Sequence, residues 1–299
     1  MARKRKTKTS KKLFTTIIAI LILLISGYFA KDELIPPTYE LPEGNMAVHF
    51  IDVGQGDSTL FMVEEGVVLV DASVYQAGPT IVEYLKKQGV TKIDYFFLTH
   101  PDGDHIGGAR DVLDAFEVEN IIMPDKSHDT RTYENLLLRI EELDINVIKG
   151  ETGSVYNVGD LEITILSPVA GHNYGRSDKD NNDWSVVFLA RFGNSKVMMT
   201  GDATAETEEI MLKNHSTAEM KADILKVGHH GSHSSTTDEF LAAVDPDYAV
   251  ISCGKDNDYG HPHTEVTDRL QKAGITIRIT KDEGTIVYMT DGSQWITGQ

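Results

Sequence analysis

Cysteine is all but absent from the chain: among 299 residues, Cys253 stands alone. That excludes an internal disulfide and any metal site built on several thiolates. Cys253 sits in the apolar run Tyr248-Ala249-Val250-Ile251-Ser252-Cys253, where a thiol behaves as a small buried hydrophobe. Basic residues are also scarce past the first dozen positions. Seven of the 28 lie within residues 1–12 (Arg3, Lys4, Arg5, Lys6, Lys8, Lys11, Lys12), leaving 21 basic against 46 acidic residues, a net of about −25 beyond the head. A body of that sign does not attract a polyanion by its overall field, which counts against tight, unaided binding of long DNA. Lys221, Lys226, Lys255 and Lys281 are what a local basic strip would draw on, and their scatter reads as a solvated set. No repeat or low-complexity tract follows residue 45. With 40% hydrophobic and 25% charged residues, the composition is that of a folded domain.

Long hydrophobic runs are missing too, with one exception. Residues 13–30 (LFTTIIAILILLISGYFA) carry no charge and as a helix would extend about 27 Å, enough for a bilayer core. The basic cluster precedes this run and Asp32 follows it, so the positive-inside rule places the N-terminus in the cytoplasm and the body outside. A cleaved signal peptide is the alternative, but Tyr28-Phe29-Ala30 does not offer the small-x-small pattern of a cleavage site. The expectation is a basic cytoplasmic head (1–12), a retained single-pass membrane anchor (13–30), a short stiff linker (31–45, with Pro36, Pro37, Pro42 and Gly44) and a folded domain over 46–299.

Within that domain, strand-like runs fall at 46–53, 58–63, 67–71, 94–99, 119–123, 161–166, 184–191, 196–200, 222–227, 247–252 and 284–289. Helical periods fit 78–88, 131–143, 204–213, 236–244 and 264–273. Strands come both as hairpin-like pairs and as strand–helix units, which predicts two mixed sheets packed together and flanked by helices, an α/β architecture. Tyr133 and the Leu136-Leu137-Leu138 run read as helix core. The Glu206–Glu209 acids read as a solvated helix face. His49, His128, His172 and His215 have no partner pattern and read as surface or core histidines.

The informative signal is a recurring arrangement at strand ends. Apolar runs end at Thr99, Gly201, Gly228 and Val70, and are followed by His100, Asp202, His229-His230 and Asp71. Loops at one edge of a rigid sheet are where sites are built. The densest cluster, His100-Pro101-Asp102-Gly103-Asp104-His105, places four ligand-type side chains in six residues. Alternate residues on an extended turn cannot all reach one ion, but they can serve two adjacent ions. Gly107 and Gly108 let the following helix start close to them.

This H-x-D-x-D-H cluster followed by Ile106-Gly107-Gly108, together with Gly201-Asp202 and His229-His230-Gly231-Ser232, resembles the metallo-β-lactamase superfamily. More narrowly, the chain resembles the hydrolase domain of ComEC-type competence (DNA-uptake) proteins. Phe50-Ile51-Asp52-Val53-Gly54-Gln55-Gly56-Asp57, Asn181-Asn182-Asp183-Trp184-Ser185-Val186 and Asn257-Asp258-Tyr259-Gly260-His261-Pro262-His263 extend the likeness over residues 46–292. The resemblance implies a four-layer αββα sandwich holding two divalent ions, Zn²⁺ or Mn²⁺. One ion would take His100, Asp102 and Asp202. The other would take Asp104, His105 and one of His229 and His230, with His229, directly after the strand, preferred and Asp202 bridging. The wider superfamily has histidine where this chain has Asp102, and another before the bridging aspartate, where this chain reads Asn181-Asn182-Asp183. Water, Asn182 or Asp183 would complete the first ion. The site is therefore oxygen-rich, which raises Mn²⁺ beside Zn²⁺ and argues against β-lactam hydrolysis. Phosphorylcholine esterases of the superfamily resemble this chain in the same H-x-D-x-D-H form.

The activity so implied is hydrolysis of a phosphodiester, in nucleic acid or in a phosphorylated wall or surface polymer. Asp104 or Asp202 would orient the attacking water. His261, His263, Tyr259 and His233 are candidates for the leaving-group side, and Asn257 for a phosphoryl oxygen. Asp52, Gln55 and Asp57 form a Gly-rich turn, read as capped by its own side chains or facing substrate, and Asn182 is a further substrate contact. Asp71 is expected to hydrogen-bond a ligating histidine. A non-catalytic anchored binding module is the competing class, opposed by the nearly complete ligand set.

Overall fold

Residues alternating between apolar and polar, or apolar on both faces, form fifteen short strands among the described residues of a computed structural model, which describes residues 41–175 and 181–297. The expected head and anchor, and most of the linker, lie outside the described residues. Among the described residues no helix is long and apolar enough to cross a membrane.

The strands are β1 Met46–Phe50, β2 Thr59–Val63, β3 Gly66–Val70, β4 Lys92–Phe97, β5 Glu117–Met123, β6 Asn146–Lys149, β7 Val155–Val158, β8 Leu161–Ser167, β9 Val187–Phe192, β10 Ser195–Met199, β11 Ile224–Lys226, β12 Tyr248–Ile251, β13 Thr276–Ile279, β14 Ile286–Thr290 and β15 Trp295–Thr297. They form an eight-stranded sheet, β15-β14-β1-β2-β3-β4-β5-β6, and a seven-stranded sheet, β13-β12-β11-β10-β9-β8-β7. The helices are α1 Gly78–Lys87, α2 Gly103–Ile106, α3 Ala109–Ala115, α4 Arg131–Glu142, α5 Ala205–Asn214, α6 Thr217–Met220, α7 Asp238–Val244, α8 Thr264–Lys272 and α9 Thr280–Glu283. Both sheets are mixed, as the sequence predicts. Strands β6, β7, β13 and β15 lie outside the strand-like runs of the sequence; each has four residues or fewer and carries too little periodic signal.

The inner faces of the two sheets meet in one apolar layer. Met46, Val48, Phe50, Phe61, Val68 and Phe97 of the first sheet pack with Ile163, Ile165, Phe188, Ala190, Val197 and Ile224 of the second. Burial of each such large side chain contributes about 1.5–3 kcal/mol. The strand period of two turns Ala47 and His49 to the opposite face. There the buried His49 ring bonds Tyr84 of α1 through Nδ1, 2.6 Å from the phenol oxygen, and burial pushes its pKa down to about 4. On the outer face of the second sheet, Met211 of α5, Phe240 and Leu241 of α7, and Val266 and Leu270 of α8 pack on Leu225, Ala249 and Ile251. In α4, Tyr133, Leu136 and Ile140 turn inward as the helical period requires, whereas Leu137 and Leu138 face solvent.

Strands β3 to β6 run parallel, as do β10 to β13. Their carboxyl ends therefore open on one rim of each sheet, which brings Asp71, His100, Asp202 and the His229-His230 pair together.

One helix braces that rim from behind. Glu208 is not on a solvated face; it is 1% exposed, and its carboxylate accepts the backbone N–H groups of Thr236 and Thr237. These residues end the loop that carries His229 and His230. Burial raises the Glu208 pKa to about 7, against the pull of the two N–H donors and Arg269. The folded domain thus keeps a proton that the unfolded chain releases above about pH 4.5. This contribution to stability is complete below that value and is lost as pH rises through about 7. Between those limits wild type should lose roughly 3 kcal/mol more than Glu208→Gln. Urea denaturation at each pH checks this, and equal slopes for the two proteins would refute it.

Candidate metal centre

The centre is assembled from the ends of β3, β4, β10 and β11. Asp71 follows β3 with φ +58°. Its carboxylate accepts Thr99 N–H at 2.8 Å, the Thr99 hydroxyl at 2.7 Å and His105 Nδ1 at 2.8 Å. This ties the H-x-D-x-D-H turn to the neighbouring strand. Helices α2 and α3 then start against the same loop, with no room for a side chain at the Gly107-Gly108 step: a Cβ would lie 2.3 Å from Tyr75 N at Gly107 and 2.5 Å from Ala72 O at Gly108.

Three buried histidines share one arrangement. His105 donates from Nδ1 to Asp71. His100 Nδ1 lies 3.1 Å from the Thr99 hydroxyl, whose own hydrogen goes to Asp71. His230 Nδ1 lies 3.0 Å from the Ser252 carbonyl, which can only accept. Each ring is thereby fixed through Nδ1, and each Nε2 is buried without a hydrogen-bond partner, as is Asp202 Oδ1. A metal-ligating histidine has this form, one nitrogen held by an oxygen and the other presented. The carboxylates converge on the presented side. Asp202 Oδ1 lies 3.2 Å from His105 Nε2, its Oδ2 lies 3.4 Å from His230 Nε2, and Asp104 Oδ2 lies 3.4 Å from the same nitrogen. Asp102 Oδ2 lies 3.7 Å from His100 Nε2. Potential ligand atoms gather in overlapping groups, among them His100-His105-Asp202 and Asp104-His105-His230.

The electrostatics demand positive charge. Burial lowers the His100 pKa to about 3. Burial also opposes charge on His230, yet Asp202 and Asp57 carry it up to about 10. Carboxylates that favour a proton there favour a divalent cation in its place. The donor set and its hydrogen bonding therefore fit a divalent metal.

Several residues sit where the sequence did not place them. Asp57 turns into the interior behind the histidines, its Oδ1 3.4 Å from His230 Nδ1. Lys226, read as one of a solvated set, is buried, because the central parallel strand β11 is covered on both faces. Its ammonium pairs with Asp57 and lies 3.3 Å from the Gly201 carbonyl. Asn181 is buried and donates to Asp102 Oδ1 at 2.5 Å, while Asp183, weighed as a ligand, accepts from Thr204. His128, from the loop after β5, brings Nε2 to 3.8 Å from the same Asp102 oxygen. Its distance in sequence from the other site residues gave no signal.

The remaining candidates divide. His261 lies at the site, its ring 5.7 Å from that of His229 and 6.0 Å from that of His230. Burial lowers its pKa to about 4. Tyr259, 64% exposed, stacks on its outer face. Asn257, expected at a phosphoryl oxygen, instead uses its amide within its own loop, accepting His261 N–H and donating to the carbonyls of Gly254 and His261. His263 is also engaged at both nitrogens, by His233 N–H at Nδ1 and by the Tyr259 carbonyl at Nε2, with the exposed His233 ring beside it. Asp52 caps its own turn by accepting Gly54 N–H, and Gln55 accepts Gly254 N–H. Asn182 Nδ2 lies 3.4 Å from His229 Nδ1.

The two mixed sheets, with metal-type ligands at one rim, define a metal-dependent hydrolase fold, and the chain belongs to the metallo-beta-lactamase superfamily, whose model matches residues 51–177 and 180–255. Within it the relatives are ComEC-type competence proteins. The chain is 32% identical over 259 residues to ComE operon protein 3 of Bacillus subtilis, and 30% identical over 271 residues to Recombination protein 2 of Haemophilus influenzae. These alignments cover 81% and 89% of this chain but 32% and 31% of those proteins, so the chain spans about a third of their length. Among solved structures, the metallo-beta-lactamase fold protein YhfI from Bacillus subtilis superposes with a TM-score of 0.53 at 15% identity, covering 82% of this chain and 99% of that one. The diiron beta-hydroxylase CmlA from Streptomyces venezuelae also gives 0.53 at 15% identity, over 80% of this chain and 53% of that one. Both likenesses concern the fold.

Proposed function

We propose that this domain is a two-metal phosphodiesterase acting outside the cytoplasm, with nucleic acid as its substrate, and that residues 13–30 anchor it in the membrane. The observation that carries the reading is the convergence of the presented nitrogens of His100, His105 and His230 on the carboxylates of Asp104 and Asp202, with Asp102 Oδ2 3.7 Å from His100 Nε2. His100, Asp102 and Asp202 would hold one ion, and Asp104, His105 and His230 the other, with Asp202 serving both. When bound, such ions would supply an acidified water and offset charge on a phosphoryl oxygen. His100 is the single imidazole of the first set, so oxygen donors dominate there and Mn²⁺ fits beside Zn²⁺. Asn181 keeps the Asp102 carboxylate in place by its hydrogen bond, with His128 Nε2 3.8 Å from the same oxygen. His261, held neutral by burial, offers a hydrogen-bonding ring on the leaving-group side. The competence-protein relatives favour nucleic acid. The acidic body favours a second reading, a smaller diester on a wall or surface polymer, which needs no long basic groove.

The test is hydrolysis of plasmid DNA and of bis(p-nitrophenyl) phosphate by the Mn²⁺- or Zn²⁺-loaded domain, beside Asp104→Ala and His105→Ala. Loss of both activities in the variants supports the hydrolase. Cleavage of the small diester alone moves the substrate to the second reading. A wild-type domain that takes up neither ion would end the proposal.

A further inference from the structure

We infer that His229 is a substrate-binding hydrogen-bond donor, presenting Nε2–H to an anionic phosphoryl oxygen, and that it is not a metal ligand; this rests on the phosphodiesterase reading above.

His229 and His230 are adjacent, and both have left-handed backbone, φ +48° and +54°. Two consecutive non-glycine residues in that region are costly, and such strain persists where the surroundings over-determine it. Here it turns the two rings apart, at 73° between planes and 6.1 Å between centroids. The rings then meet opposite hydrogen-bond environments. His230 faces the Ser252 carbonyl through Nδ1, so Nδ1 carries hydrogen and Nε2 is the electron-pair donor toward the cluster. His229 faces the Asn182 amide nitrogen at 3.4 Å and the Ser234 hydroxyl at 3.2 Å, both through Nδ1. An amide nitrogen only donates. Nδ1 of His229 therefore accepts, and the ring hydrogen lies on Nε2. That nitrogen points back to the centre, 3.7 Å from Asp202 Oδ2. A nitrogen bearing hydrogen binds no cation but suits an oxygen that carries negative charge.

Exposure separates the two roles in the same way. The side chains of His100, His105 and His230 are at most 1% exposed, whereas that of His229 is 26% exposed. It stands where a diester arrives from solvent. His229 also appears in none of the ligand groupings among the described residues. Asn182, one of the substrate contacts expected from the sequence, is thus a positioning residue that sets the His229 tautomer.

The experiment compares metal content and steady-state kinetics on bis(p-nitrophenyl) phosphate for Mn²⁺-loaded wild type, His229→Ala, His229→Asn, His229→Gln and His230→Ala. Asparagine tolerates left-handed backbone and guards against a folding defect, but it carries no donor as far out as Nε2; glutamine does. Expected are two equivalents of Mn²⁺ in every His229 variant, and one fewer in His230→Ala. In His229→Ala and His229→Asn, kcat/KM should fall about 10²-fold, with most of it restored in His229→Gln. Loss of an equivalent in His229→Ala overturns the inference, since His229 is then a ligand. So does full kcat/KM in His229→Ala with both ions present. Wild type that binds no Mn²⁺ overturns the phosphodiesterase reading itself, and this inference with it.

Discussion

Lys226→Met is expected to cost the folded domain about 3–5 kcal/mol, the usual penalty for removing one partner of a buried ion pair. The Lys226 side chain is 1% exposed and that of Asp57 is 5%. Burial alone would push the Lys226 ammonium toward neutrality; Asp57, Asp202 and Asp71 outweigh it and raise its pKa. Methionine matches the stem but leaves Asp57 charged, dry and beside His230. Two outcomes should accompany the loss. Adding Asp57→Asn should recover most of it, because the stranded charge is then gone. Saturating Mn²⁺ should also recover part of it, because Asp57 lies within 4.8 Å of ligand atoms of Asp202 and His230 and so would share a cation's field there. Urea denaturation of the metal-free and metal-loaded proteins measures all of these. A single-variant loss below about 1 kcal/mol, typical of an exposed pair, would show that Lys226 is not the internal counter-charge described.

Asp202→Ala should have the largest effect on activity. The carboxylate lies within 3.7 Å of Nε2 on His105, His229 and His230, and no neighbour can replace its central position. Losing the residue proposed to serve both ions should lower kcat/KM by roughly 10³-fold or more, several kcal/mol of transition-state stabilisation. The thermodynamic counterpart needs no substrate. A divalent ion that binds only the folded state stabilises it by about 2.7 kcal/mol at a hundred times its Kd, so wild type should gain at least that in calorimetry with Mn²⁺. Asp202→Ala should gain little. An equal gain in both proteins would remove Asp202 from the centre.

Much of the domain was legible because strand and helix periods are strong in it. The long runs in β4, β8 and β10 and the five main helices follow the apolar pattern closely. The metal-type residues were legible because they cluster, four of them within His100–His105, and because parallel strands must open on a common rim. What escaped notice was mostly charge that folds inward. Lys226 looks like any solvated lysine until its neighbours Ile224, Leu225 and Val227 are seen as a strand buried on both faces. Glu208 sits among other acids, and only the packing of α5 selects it for the interior. Between His229 and His230, adjacency to the strand does not reveal which ring is buried: both residues have left-handed backbone, and the His230 side chain is 1% exposed against 26% for His229. Asn181, Asn182 and Asp183 are adjacent and alike in sequence, and only the fold selects Asn181 as the donor to Asp102. Strands β6, β7, β13 and β15 are the edge strands of the two sheets, where weak burial leaves little pattern to detect.

The six side chains proposed to hold the ions do not come from one half of the molecule. His100, Asp102, Asp104 and His105 hang from the end of β4 in the first sheet, while Asp202 and His230 follow β10 and β11 in the second. Two divalent ions held among them would act as a clasp across the open end of the sandwich, while the apolar layer alone grips the closed end. Stripping the ions with a chelator should then loosen one mouth of the domain first, visible as faster amide exchange in the His100–Ala109 and Gly228–Thr237 segments, while Phe61, Phe97 and Phe188 stay locked.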